Sequence, residues 1–141
     1  MKMEYTAEII RSWPYDGSLD RNEPIKASAT LTNGDWVAKQ TDGTVDKSGA
    51  SAANNVGLVL QGNADSGSAV NSNKAVVLWG NFIARISNYD TGGTYAPGTA
   101  LTVKSGKITS VSAGTDPVVG FVLDVVTASA TATASLVIKV A

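Results

Sequence analysis

The sequence contains neither cysteine nor histidine. Without cysteine there are no disulfide staples and no thiolate metal sites. Without histidine the commonest general base at neutral pH is missing, and a Ser-His-Asp arrangement has no middle member. Charge is also sparse. Lysine and arginine number 11 and the acids 12, together 16% of the chain, against about 25% in an average globular protein. The formal net charge is -1 and no Lys/Arg cluster stands out, so the electrostatic footprint of nucleic-acid binding is absent. No stretch approaches the ~20 apolar residues of a membrane-spanning helix. The first residues carry Lys2, Glu4, Glu8 and Arg11 and lack the apolar core of a signal peptide. Synthesis in the cytoplasm, with neither nucleic acid nor membrane as partner, is therefore expected.

What is present is 43% hydrophobic residues among abundant Ser, Thr, Asn and Gly. A chain of 141 residues is long enough for one domain that buries roughly 68–70% of its unfolded surface. Residues 1–24 differ in texture from the rest. They hold Tyr5, Trp13, Tyr15, Pro14, Pro24 and five of the 12 acids, and read as an extended N-terminal arm. Within it Tyr5, Ala7 and Ile9 alternate with Glu4, Thr6 and Glu8, the period of a half-buried strand. A helix there would run into Trp13-Pro14, where the residue before proline is held extended.

From Ile25 to the end the sequence is a series of short β-branched runs divided by Gly, Asn, Asp and Ser. This predicts a single all-β domain over 25–141. The expected strands are Ile25–Leu31, Trp36–Gln40, Thr44–Asp46, Val56–Gln61, Ala75–Trp79, Phe82–Ile86, Ala100–Lys104, Lys107–Val111, Val118–Val126 and Ala134–Val140.

Two blocks of this domain share one grammar. The block over about 34–80 reads Trp36-Val37-Ala38-Lys39, a turn at Asp42-Gly43, Thr44-Val45, Val56-Gly57-Leu58-Val59-Leu60 and Val76-Val77-Leu78. The block over about 98–140 reads Leu101-Thr102-Val103-Lys104, a turn at Ser105-Gly106, Lys107-Ile108, Val119-Gly120-Phe121-Val122-Leu123 and Leu136-Val137-Ile138. Gly43 to Gly106 and Gly57 to Gly120 both span 63 residues. The turn glycines suit the positive φ of tight hairpins. A glycine inside a strand marks a bulge or a close backbone approach, and its recurrence suggests closure at the same place in both units. The expected architecture is a compact β-barrel or β-sandwich built from two related four-strand units.

Candidate sites weaken on inspection. Asp65-Ser66-Gly67 and Asp90-Thr91-Gly92 have the form of an aspartic-protease pair, but Gln61-Gly62-Asn63-Ala64 and Ser87-Asn88-Tyr89 precede them where apolar strands are needed. Gly62 and Gly67 have phosphate-loop spacing, yet Ser68 and Ala69 stand where Lys and Ser/Thr belong. Asp35, Asp42 and Asp46 lack the alternating oxygens and closing glutamate of a calcium loop. Trp36 and Trp79 lie in strands and suit core packing. No catalytic residue, cofactor or metal ligand is therefore expected. Tyr5, Ile9, Trp13 and Tyr15 are the candidate binding residues. An extended segment adds a strand to a partner's sheet edge, and exposed aromatics anchor such contacts.

The run Gly98-Thr99-Ala100-Leu101, Gly106-Lys107-Ile108-Thr109, Val119-Gly120-Phe121-Val122-Leu123 and the final strand to Val140 resembles a family of small tailed-phage capsid cement proteins. Val56-Gly57-Leu58-Val59-Leu60 leading to Ala75-Val76-Val77-Leu78-Trp79-Gly80-Asn81-Phe82 is similar to that family's earlier strand pair. The likeness covers roughly residues 30–140. Asp124 stands where the family pattern has glutamate, and the arm is longer and more aromatic than a minimal member needs. The resemblance implies a decoration protein on the outer surface of the virion capsid. It would bridge neighbouring major capsid subunits, often as a homotrimer. Tyr5, Ile9, Trp13 and Tyr15 would then bind capsid, and removing residues 1–15 would weaken attachment without unfolding the body. A second reading, from Trp/Tyr among Asn/Asp loops, is a glycan-binding or adhesive β-module displayed on a phage particle.

Overall fold

A computed structural model describes residues 7–12, 20–52, 55–65 and 73–140. Eleven strands form two antiparallel sheets, with no helix among the described residues. In chain order they are β1 (Ala7–Ser12), β2 (Asp20–Pro24), β3 (Trp36–Lys39), β4 (Val45–Lys47), β5 (Val56–Gln61) and β6 (Lys74–Leu78). Then come β7 (Phe82–Ile86), β8 (Ala100–Lys104), β9 (Lys107–Ser110), β10 (Gly120–Val126) and β11 (Ser135–Val140). The six-stranded sheet has the order β1-β7-β11-β10-β8-β9, and the five-stranded sheet β2-β6-β5-β3-β4. Both stay open, so of the two architectures expected the chain adopts the sandwich.

The two blocks make one sheet each, in the same order. β4-β3-β5-β6 in one sheet matches β9-β8-β10-β11 in the other. The correspondence is residue by residue along β5 and β10, whereas β3 and β8 are offset by one place from the alignment of the two sequence blocks. Gly57 pairs with Val37 and Gly120 with Leu101, so Leu101 holds the place of Val37 and Ala100 that of Trp36. The ladder slips by one residue at Leu60, between Val59 and Gln61, and likewise at Leu123, between Val122 and Asp124. Such bulges re-aim the strand that carries them. Both strand glycines make close approaches. A Cβ on Gly57 would overlap the Val77 side chain and crowd the Trp79 ring, and one on Gly120 would overlap the Lys139 carbonyl.

Although equivalent in order, the sheets pack head to tail. Trp36, Leu58 and Leu78, a row across β3, β5 and β6, face into the sandwich. Their counterparts Ala100, Phe121 and Lys139 face outward, while Leu101, Val122 and Ile138 point in. The shared core is thus the inner face of one unit laid on the opposite face of the other. The remaining face of the five-stranded sheet, with Val37, Val59 and Val77, carries a second apolar cluster closed by Ile25 and Leu31.

That cluster explains one departure from the sequence reading. Ile25–Leu31, expected as a strand, makes only an isolated bridge from Ile25 to Val45. Lys26 and Ala29 close a turn around Ser28, whose φ is 68°, so Ile25 and Leu31, at the two ends, are buried by a crossing loop. A strand lies instead at Asp20–Pro24, inside the segment read as an arm, paired with β6. The tip of the β8–β9 hairpin is a tight turn with Ser105 and Gly106 both at positive φ, as the glycine predicts. It docks on the other unit: Trp36 N–H donates to the Gly106 carbonyl, Ser105 N–H to that of Gly49, and Gly106 N–H to Ser48 Oγ.

Candidate functional site

Of the four candidate binding residues, Tyr5, Trp13 and Tyr15 lie outside the described residues. Ile9 is described, and it packs half-buried against the main core, two places from the fully buried Ala7. Over Ala7, Glu8 and Ile9 the alternation legible in the sequence holds, but its inner side meets this chain's own sheet. β1 pairs with β7 from Ala7↔Ile86 to Ser12↔Phe82. Asn33, buried itself, clamps the strand to the second sheet: Ala7 N–H donates to Asn33 Oδ1 at 2.8 Å, and Asn33 Nδ2 to the Leu60 carbonyl at 2.9 Å. A bulge between Ile9 and Arg11 turns Ile10 outward, where it is 51% exposed. The described part of the 1–24 segment therefore completes the edges of both sheets, with β1 on β7 and β2 on β6.

The aspartates organise turns. Asp65 accepts from Thr32 Oγ1 at 2.6 Å, from Asn33 N–H at 2.9 Å and from Gly62 N–H at 2.6 Å, which ties the loop after β5 to the crossing segment. Asp90 caps its own loop through Gly92 N–H at 3.0 Å and also reaches Thr109 Oγ1 on β9. Each carboxylate thus fastens its own loop to another part of the fold. Asp42 accepts both Thr44 N–H and Thr44 Oγ1, and the hydroxyl bond leads in holding its carboxyl below the usual range. Asp35 is different, because burial pushes its carboxyl up despite the Thr32 N–H bond and Lys47 at 3.8 Å. Among the described residues no group of three or more acids is placed to hold a metal ion. Gly67, Ser68 and Ala69 lie outside the described residues.

Both tryptophans expected in strands pack, although Trp79 falls just past the end of β6. Trp36 is wholly buried and stacks on Phe82 at 6.3 Å. Its indole N–H has no acceptor among the described residues, so this side chain contributes area and not a polar contact. Trp79 lies half-buried over Gly57 and donates from Nε1 to the buried Glu23 at 3.3 Å. Lys39 also reaches that carboxylate. The cluster pins β2 across the outer side of its sheet. Sequence reasoning missed Glu23 because Asp20-Arg21-Asn22-Glu23-Pro24 has no apolar alternation to betray a strand.

Two surface features remain. The first is an open cleft of about 630 Å³ between the Asp90–Gly93 loop and the β8–β9 hairpin, lined by Lys104, Lys107, Thr109, Ser110 and Ser112 among others. Lys104 and Lys107 face each other across the hairpin, and Lys104 is tied to Asp116 at 3.1 Å. The second is a set of exposed apolar side chains on and just before β10, namely Val118, Phe121, Leu123 and Val125, of which Phe121 stands on the outer face while Val125 shares a row with the core residue Leu136. No protein-family model and no curated protein matches the chain.

Proposed function

We propose that the chain is a non-enzymatic capsid cement or decoration protein of a tailed phage. It binds the outer surface of the head and stabilises contacts between major capsid subunits, and clusters there as a homotrimer. One observation carries this reading. The residues behind the resemblance, Val56-Gly57-Leu58-Val59-Leu60 and Val119-Gly120-Phe121-Val122-Leu123, occupy equivalent ladder positions in two four-strand blocks of the same strand order, one in each sheet. A tandem register of this kind is a property of a whole architecture and supports the family likeness better than short strings of Val, Gly and Leu do. The way the aspartates are used is also in keeping with a scaffold, since Asp65 and Asp90 spend their oxygens on holding loops in place.

A glycan-binding or adhesive module displayed on the particle is the second reading, and the lining of the cleft supports it. Asp90 and the hydroxyls of Thr109, Ser110 and Ser112 suit sugar hydroxyls, and Lys107 beside them suits an acidic substituent. Co-sedimentation with expanded heads lacking decoration, set against a glycan array of neutral and acidic sugars, separates the two. Saturable pelleting with heads and a blank array is the expected result. Array binding without head binding would transfer the function to the cleft.

A further inference from the structure

Asn-Gly occurs once in the sequence, at Asn33-Gly34, and it sits where several parts of the fold meet. Asn33 Oδ1 accepts the Ala7 N–H of β1 at 2.8 Å, while Nδ2 donates to the Leu60 carbonyl of β5 at 2.9 Å and to the Ala7 carbonyl at 3.4 Å. The backbone is fastened too. Asn33 N–H donates to Asp65 Oδ2 at 2.9 Å, Gly34 N–H donates to the Val59 carbonyl at 2.9 Å, and the Gly34 carbonyl accepts from Asn88 Nδ2 at 3.0 Å. Both residues are buried.

We propose that Asn33-Gly34 is a covalent modification site, a deamidation site that the fold keeps shut and that reacts when this corner opens. The chemistry belongs to any asparagine followed by glycine. The backbone nitrogen of the glycine attacks the asparagine Cγ, a new N–C bond closes a succinimide ring, the Cγ–Nδ2 bond breaks, and ammonia leaves with the proton of the attacking amide. Water then opens the ring at either carbonyl and leaves aspartate or isoaspartate. Glycine places no Cβ in the way of the attack. In the folded chain both reacting groups are already committed. The Gly34 proton that must leave lies in the bond to Val59, and the Asn33 amide that must turn toward Gly34 is bonded through its oxygen and its nitrogen. Reaction therefore waits on local opening and proceeds in proportion to the open population.

Conversion also opposes reclosure. An oxygen takes the place of Nδ2, so the Leu60 and Ala7 carbonyls lose a donor and face a carboxylate. Buried acceptors left in this way are costly. Two acids already grip the same stretch, Asp65 at Asn33 N–H and Asp35 at Thr32 N–H, each at 2.9 Å, and a third carboxylate beside them is unfavourable. Isoaspartate adds a carbon to the backbone and puts the neighbouring N–H groups out of step with Asp65 and Val59. β1 loses its clamp to the second sheet in either product, so one opening is recorded and made permanent.

The inference is independent of the capsid reading. The test incubates the full chain at neutral pH in buffer and, in parallel, in enough guanidinium chloride to unfold it, and follows conversion at Asn33 by peptide mass mapping. Conversion in the folded chain should be at least about tenfold slower and should rise with sub-denaturing guanidinium. Asp65→Ala removes the acceptor of Asn33 N–H and should speed conversion in buffer while circular dichroism still reports a β-fold. Converted chains, separated by ion exchange on their added negative charge and refolded, should melt below the parent, and Asn33→Asp should do the same. Three results would each overturn the inference. They are equal rates with and without denaturant, a folded-state rate that answers neither to sub-denaturing guanidinium nor to Asp65→Ala, and converted chains or an Asn33→Asp variant that melt like the parent.

Discussion

Gly57 and Asp35 show how single residues constrain this sandwich. A methyl group on Gly57 meets the Val77 side chain and comes within 3.0 Å of the Trp79 ring. Overpacking of this kind costs about 1–3 kcal/mol, and Gly57→Ala should lower the denaturant midpoint accordingly. Gly49→Ala, where the added carbon meets nothing within 4 Å, should leave the midpoint within about 0.5 kcal/mol of the parent, as surface changes do. Asp35 works through pH. Burial raises its carboxyl pKa above the ordinary carboxylate value, so the folded state holds a proton that the unfolded chain releases earlier. Its contribution is most favourable below the unfolded pKa and is lost as pH rises through the raised folded value. Asp35→Asn keeps an acceptor for Thr32 N–H and removes the buried charge. Urea midpoints measured from acid to neutral pH should show the variant gaining on the parent as pH rises across that window. A difference that stays flat with pH would contradict the account of Asp35.

Among the elements, β1 and β2 separate what the sequence discloses from what it does not. Most strands from β3 to β11 were legible because β-branched residues alternate between turn signals, and because the repeat sets one block beside the other. The twofold choice of face was not legible. Gly57 and Gly120 look alike in sequence, yet one points outward toward Trp79 and the other inward beside Val140, a difference set by how whole sheets stack. β1 was legible as a strand from Ala7 and Ile9, but its partner was not, since any open sheet edge satisfies the same alternation. β2 was hidden because its one decisive side chain, Glu23, is a buried carboxylate held by Lys39 and Trp79. Two predictions follow at this scale. Removing residues 1–12 exposes the β7 edge and uncovers the core beside Ile86 and Ala84, so the melting temperature should fall and the transition should broaden. This replaces the expectation that the segment can be cut away without affecting the body. An unchanged melt would restore that expectation. Glu23→Ala strands the Trp79 N–H and frees Lys39, at a cost of about 1–3 kcal/mol, to be read from the same melts.

For the whole molecule, a cement protein must strengthen the lattice that it binds, and adhesion alone is not sufficient. A ligand that binds one state and not the dissociated one stabilises that state in proportion to occupancy. The most direct measurement is therefore calorimetry of expanded, undecorated heads titrated with the full chain. The account predicts that the head transition moves upward with added protein and stops moving when co-sedimentation shows the sites are full. Heads that bind the protein yet melt at an unchanged temperature, or that do not bind it at all, would contradict the cement function.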